Sequence, residues 1–158
     1  MQKRLPFALT VLATLLAAAP LFAAGPVPAP RRITAPALAA QLRRGQRPVI
    51  FQVGFRELYA AAHIPGARYA GPASRRAGRM RLRRALARLP RNRRIILYCG
   101  CCPRPKCPNI RPAARLARRM GFRHVELLYL PHSFAQDWVR RGYPIAGRDA
   151  RGLRRGRR

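Results

Sequence analysis

The chain has 158 residues, with 34 Lys and Arg against 4 Asp and Glu, for a formal net charge of +30. That length fits one domain with a modest core. Such a charge raises the question of nucleic acid, but the basic residues are spread along the whole chain, form no stripe and accompany no nucleic-acid motif, which argues against that class. The charge reads instead as a solvated positive face that attracts small anions and anionic envelope polymers.

In chain order, Lys3 and Arg4 precede an apolar run from Phe7 to Ala19, and Leu21-Phe22-Ala23-Ala24 offers small residues for cleavage. Residues 1–24 are therefore expected to be a signal peptide, which places the folded part in the periplasm or the cell exterior. The apolar core is shorter than the roughly 20 residues of a spanning helix, so no membrane span is expected after cleavage. Residues 25–32, beginning Gly25-Pro26-Val27-Pro28-Ala29-Pro30, read as an extended linker. A domain is expected over residues 33–147. It opens with a short strand at Ile33-Thr34 and a helix from Ala35, with Thr34 as N-cap and Gly45 as the stop. Pro48 to Val53 is a continuous apolar run, as expected of a strand buried on both faces. Arg56 to Ala62 reads as a helical turn and His63-Ile64-Pro65-Gly66-Ala67 as a turn signal. Arg75 to Leu89 is helical, with Met80, Leu82, Leu86 and Leu89 as its apolar stripe. Arg94 to Tyr98 is a second buried strand. Pro112 to Met120 is a helix with Asn109 as N-cap and Gly121 as C-cap. His124 to Leu128 is a third strand, Phe134 to Arg141 a last helix closed by Gly142, and residues 148–158 a basic disordered tail. Strands alternating with helices predict an α/β domain with a parallel sheet.

All four cysteines lie in one stretch, Tyr98-Cys99-Gly100-Cys101-Cys102-Pro103-Arg104-Pro105-Lys106-Cys107-Pro108-Asn109-Ile110-Arg111-Pro112. A strand feeds Cys99 and a helix leaves Asn109. The first turn of such a helix carries unpaired N–H groups and roughly half a positive charge, a seat for a thiolate or an anionic sulfur species. In parallel sheets, sites form beyond the carboxyl ends of strands, where Cys99 falls. The loop thus reads as the active-site loop of a sulfur-handling enzyme.

Four segments extend this reading. Val49-Ile50-Phe51-Gln52-Val53, Tyr59-Ala60-Ala61-Ala62-His63-Ile64-Pro65-Gly66-Ala67, Ile95-Ile96-Leu97-Tyr98-Cys99, and the closing pair Gly121-Phe122-Arg123-His124-Val125 and Trp138-Val139-Arg140-Arg141-Gly142-Tyr143-Pro144-Ile145 occur in the order of the rhodanese-like sulfurtransferase family, which the chain resembles from Ile33 to Gly147. The resemblance implies a three-layer α/β domain with a mainly parallel central sheet flanked by helices. It also implies a cysteine that takes a sulfane sulfur from a donor, becomes a persulfide and passes the sulfur on. The chain departs from the family at Gln52 and Gly54, where Asp and Arg are usual, and at Leu58, where an acid is common. Its loop is longer: Cys99 stands twelve residues before Arg111, where the family runs Cys-x-x-Gly-x-Arg into its helix. This resembles a secreted rhodanese-like subgroup with a Cys-Gly-Cys-Cys-Pro…Cys-Pro-Asn-Ile-Arg-Pro loop.

By family position Cys99 is the expected nucleophile, with Cys107, near the helix start, as its rival. Arg104, Lys106, Asn109, Ile110 and Arg111 are expected to bind an anionic sulfur donor, and a thiol is the expected acceptor. Cys101, Cys102 and Cys107 are candidates for disulfide or redox roles, since cysteines outside the cytoplasm tend to oxidise. Cys102 with Cys107 would leave Cys99 free; Cys99 with Cys107 would be a redox pair. No cofactor is expected. No metal ligands are assigned, because Cys-x-Cys-Cys fits no common zinc spacing and no histidine is near in sequence. The alternative is a non-enzymatic or redox thiol module of the same fold, holding Cu(I), Zn(II) or a partner protein through this loop. A phosphatase-like Cys-x5-Arg is absent. His63 reads as structural and His132 as a surface residue; Glu126 and Asp137 are expected to pair with Arg. The oligomeric state is not fixed by the sequence.

Overall fold

The computed structural model describes residues 27–103 and 106–150. The expected signal peptide, Arg104 and the tail beyond residue 150 lie outside the described residues.

Five parallel strands form one sheet: β1 Arg31–Thr34, β2 Val49–Gln52, β3 Arg68–Tyr69, β4 Ile95–Tyr98 and β5 Val125–Tyr129, in the order β1-β5-β4-β2-β3. The helices are α1 Ala35–Arg43, α2 Arg56–Ala61, α3 Arg76–Ala87 and α4 Ile110–Arg119, followed by a π-helical segment, Ala135–Val139. The expected α/β architecture holds. β2 and β4 are buried along their whole length and apolar except for Gln52 and the Tyr98 hydroxyl, because both their faces are covered. Ile95 and Leu97 face the layer of α3 and α4, with Leu82, Leu86 and Phe122. Ile96 and Tyr98 face the opposite layer, with Leu38, Phe134 and Trp138. Trp138 is fully buried and donates from its indole N–H to Pro144 O at 2.9 Å, so its polar atom is satisfied within the core.

Several local expectations meet their physical cause. Thr34 Oγ1 accepts from Ala37 N at 3.3 Å, capping α1. His63 stacks on Tyr59 with ring centroids 3.9 Å apart, and its backbone bonds Ala146 in both directions, a structural role. Glu126 pairs with Arg94 at 2.7 Å. Asp137 instead bonds the His132 ring at 2.9 Å and the N–H groups of His132 and Ser133, so the expected Arg partner is replaced by a turn-forming cap. Met80 is exposed and Gly78 occupies the buried side of α3, because a Cβ at Gly78 would overlap Pro72 O. β1 starts at Arg31, inside the expected linker. Residues 148–150 are helical and Ala150 is buried. Among the described residues no helix is long and apolar enough to cross a membrane.

The topology places the site. From β2 the chain moves outward to β3, and from β4 it moves the other way to β5. Neighbouring strands whose connections diverge leave a crevice at their carboxyl ends. Gln52 closes β2, Gly54 lies just beyond it, and Cys99 follows β4.

Candidate active site

Cys99 leaves the end of β4 and is 5% exposed. Gly100 follows with φ +92°, a left-handed turn that suits glycine, and its carbonyl accepts from Phe134 N at 3.2 Å. The chain thus doubles back above the sheet and brings the four thiols together. Cys99 Sγ lies 3.2 Å from Cys101 Sγ, and Cys101 Sγ lies 3.2 Å from Cys102 Sγ. The sulfurs of Cys99, Cys101 and Cys107 all fall within 4.8 Å of one another. None of the four cysteines is joined to another, so the structure shows neither of the disulfides considered from the sequence.

Residues outside the loop hold Cys99. Gln52 is buried; its Nε2 donates to Cys99 O at 3.0 Å and its Oε1 accepts from Gly54 N at 3.2 Å. A Cβ at Gly54 would lie 2.8 Å from Cys99 O and 3.0 Å from Cys99 Sγ. The departures at Gln52 and Gly54 therefore belong to the site: a neutral amide ties down the cysteine's carbonyl, and a missing side chain makes room for its sulfur. Leu58, the third departure, is exposed.

Asn109 corrects the expectation of a helix cap. Its backbone is already helical (φ −91°, ψ −36°), and its side chain makes no cap bond. Instead the fully buried amide accepts from Ser74 N at 3.0 Å through Oδ1 and donates to Cys99 Sγ at 3.3 Å through Nδ2. It joins the loop before α3 to the sulfur at the end of β4.

The charge within the thiol group is uneven. Cys107 is pulled down to about 6, first by its hydrogen bond with Cys99 and then, against burial, by the N–H groups of Asn109 and Ile110 at the start of α4. Cys99 is pushed up, first by the adjacent Cys107 sulfur and then by burial. Cys102 is pushed up to about 12 by burial and by Cys101. Cys107 is therefore the more acidic thiol of the pair.

Above the pair is a narrow cavity of about 10 Å³ lined by Cys99, Gly100, Cys102, Cys107, Ile110, Leu128 and Leu130. It has room for about one water-sized sphere. Among the expected donor-binding residues, Ile110 lines this cavity and Asn109 reaches the sulfur, whereas Lys106 and Arg111 are exposed. Arg104 lies outside the described residues. Leu128, Leu130, Gln52, Gly54 and Ser74 are site residues that sequence reading missed. Only the two departures from the family pattern carried a signal.

A parallel sheet with a hydrogen-bonded thiol at a switch point, near a helix N-terminus, defines an α/β domain with a cysteine cluster at the carboxyl ends of its strands. More particularly, the chain belongs to the rhodanese-like domain family, whose family model matches residues 34–134. No curated protein matches the chain. Among solved structures it is similar to the rhodanese-like domain of the Alr3790 protein from Anabaena sp., at 27% identity and a TM-score of 0.56, covering 74% of this chain and 79% of that one. The BH2092 protein from Bacillus halodurans shares the fold at 23% identity and a TM-score of 0.57, covering 74% of this chain and 77% of that one. Thiosulfate sulfurtransferase from Pseudomonas aeruginosa shares it at 18% identity and a TM-score of 0.53, covering 75% of this chain but 20% of that one.

Proposed function

We propose that this protein is a sulfurtransferase that carries sulfane sulfur as a persulfide on Cys99. The observation that carries the reading is the buried Cys99–Cys107 pair, whose sulfurs lie within 4.8 Å of each other, with Asn109 Nδ2 donating to Cys99 Sγ at 3.3 Å. Cys107 takes the proton of Cys99 as Cys99 attacks, the logic of a nucleophile beside its base. With thiosulfate as donor, Cys99 sulfur bonds the outer sulfur, the sulfur–sulfur bond of the donor breaks and sulfite leaves with that electron pair. A thiolate acceptor then removes the outer sulfur, and Cys99 returns to its starting state. The Asn109 Nδ2 donor and the Asn109 and Ile110 amides favour negative charge on sulfur at each stage.

The net charge of +30 raises the local concentration of anionic donors. On the leader-like residues 1–24 we place the reaction in the periplasm or outside the cell. The experiment is mass spectrometry of the purified chain after incubation with thiosulfate. A gain of one sulfur atom in the wild type, lost in Cys99→Ser, is the expected result; no gain under any donor concentration overturns the reading.

One observation favours a second reading. The sulfurs of Cys99, Cys101 and Cys107 are close enough to hold one soft ion. A chain that binds stoichiometric copper or zinc and takes up no sulfur would be a metal-binding module of rhodanese fold.

A further inference from the structure

The cavity poses a problem for the second half of the reaction. Cys99 and Cys107 are 5% and 6% exposed, and the space above them admits about one water-sized sphere. A small inorganic donor brings its sulfur on a thin end, but a thiol carried on a peptide cannot follow it in. The outer sulfur of a Cys99 persulfide would fill that space and meet solvent only through its narrow mouth. Yet Cys99 is in contact with Cys101 at 3.2 Å, Cys101 is in contact with Cys102 at 3.2 Å, and both of these are only half-buried. Cys102 also lines the cavity. The sulfurs form an unbroken path from the strand end to the surface.

We propose that Cys101 and Cys102 are a sulfur relay, moving the sulfane sulfur from Cys99 outward to bulky acceptors; this rests on the sulfurtransferase reading above. In the first step Cys101 sulfur attacks the outer sulfur of the Cys99 persulfide. A bond forms between Cys101 and that sulfur, the bond from it to Cys99 breaks, and Cys99 leaves with the electron pair and takes up the proton that Cys101 gives. Cys102 repeats the exchange on Cys101. An external thiolate then removes the sulfur from Cys102, becoming a persulfide while Cys102 is restored. Each exchange swaps one sulfur–sulfur bond for another, so nothing is oxidised or reduced and no co-reactant is required. Each attacking thiol hands its proton to the sulfur it displaces, so no free thiolate has to form at Cys102. Adjacency of Cys101 and Cys102 protects the path: attack on the inner sulfur would require a disulfide between neighbouring residues, which strains the bond geometry.

The test uses the full chain and the double variant Cys101→Ser with Cys102→Ser, loaded with thiosulfate and discharged separately with cyanide and with glutathione. Cyanide is a thin rod that can reach the outer sulfur through the mouth of the cavity; glutathione is too bulky to. The double variant is expected to load one sulfur on Cys99 and to discharge it to cyanide, which reports that it is folded and supplies the reference rate against which its glutathione discharge is read. Discharge to glutathione is expected to fall by about tenfold or more, the scale of a lost positioned partner. Trapping and peptide mapping of the loaded wild type should find part of the added sulfur on Cys101 or Cys102. Normal loading with glutathione discharge within about twofold of the wild type overturns the relay alone, because positioning would then contribute too little to matter. Release of hydrogen sulfide with a Cys99–Cys101 disulfide also overturns it. A wild type that takes up no sulfur overturns both the relay and the transferase reading.

Discussion

Asn109→Asp is the sharpest probe of the site. The side chain is fully buried, with Oδ1 accepting from Ser74 N at 3.0 Å and Nδ2 donating to Cys99 Sγ at 3.3 Å. Aspartate keeps the size of the side chain and the acceptor for Ser74 N. It replaces the donor that faces the sulfur with a carboxylate oxygen. Two like charges about 4 Å apart repel by about 4 kcal/mol at an effective dielectric constant of about 20. At about 1.4 kcal/mol per pH unit, that repulsion raises the first pKa of the thiol pair by up to about 3 units. In the wild type Cys107 is held at about 6, so thiolate is present above that pH and is lost as pH falls through it. The midpoint of iodoacetamide alkylation at Cys99 and Cys107 should therefore move up by about 2 to 3 units in the variant. The assay is the alkylation rate against pH, with peptide mapping of both cysteines and thermal melting of each sample. A folded variant whose midpoint stays where the wild type has it would refute the reasoning.

Other substitutions test the surroundings. Gly54→Ala puts a methyl 2.8 Å from Cys99 O and 3.0 Å from Cys99 Sγ, so the strand end must shift. It should cost about 1–3 kcal/mol in urea unfolding and slow sulfur loading; unchanged stability and loading would contradict the packing described. Trp138→Phe leaves Pro144 O without its donor and should cost about 1–3 kcal/mol by the same measurement, with equal stability as the contrary result. Glu126→Gln removes the partner of Arg94 in a pair that is partly open to water, so it should cost less than about 1 kcal/mol. A larger loss would show that the pair anchors β5. Below about pH 6 the loading rate of the wild type should fall about tenfold per pH unit, since the attacking pair is then fully protonated; a flat profile would separate attack from this ionisation.

Local chemistry made most of the elements readable. Thr34 before Ala35-Pro36 marks the start of α1 because a hydroxyl can accept from an N–H of the first turn, and Val49–Phe51 and Ile95–Leu97 are unbroken apolar runs because both faces are covered. β3 is two residues long and carries no such signature: it exists only as the partner of Phe51 and Gln52. Met80 sits in an apolar stripe in the sequence yet faces water, because close approach of Gly78 to Pro72 sets the rotation of α3.

The sequence by itself determined the α/β class, the strand end that delivers Cys99, and the gathering of every cysteine into one loop, since these depend on periodicity, caps and chain order. Tertiary structure alone decided what surrounds the sulfur. Ser74 and Asn109 are 35 residues apart and Gln52 and Cys99 are 47 apart, and their bonds form only when β2 and β4 pair and α4 closes over them. Which of Cys99 and Cys107 is the more acidic was equally beyond the sequence, because it depends first on the contact between the two thiols and then on the amides of α4, a matter of a few ångströms in folded space.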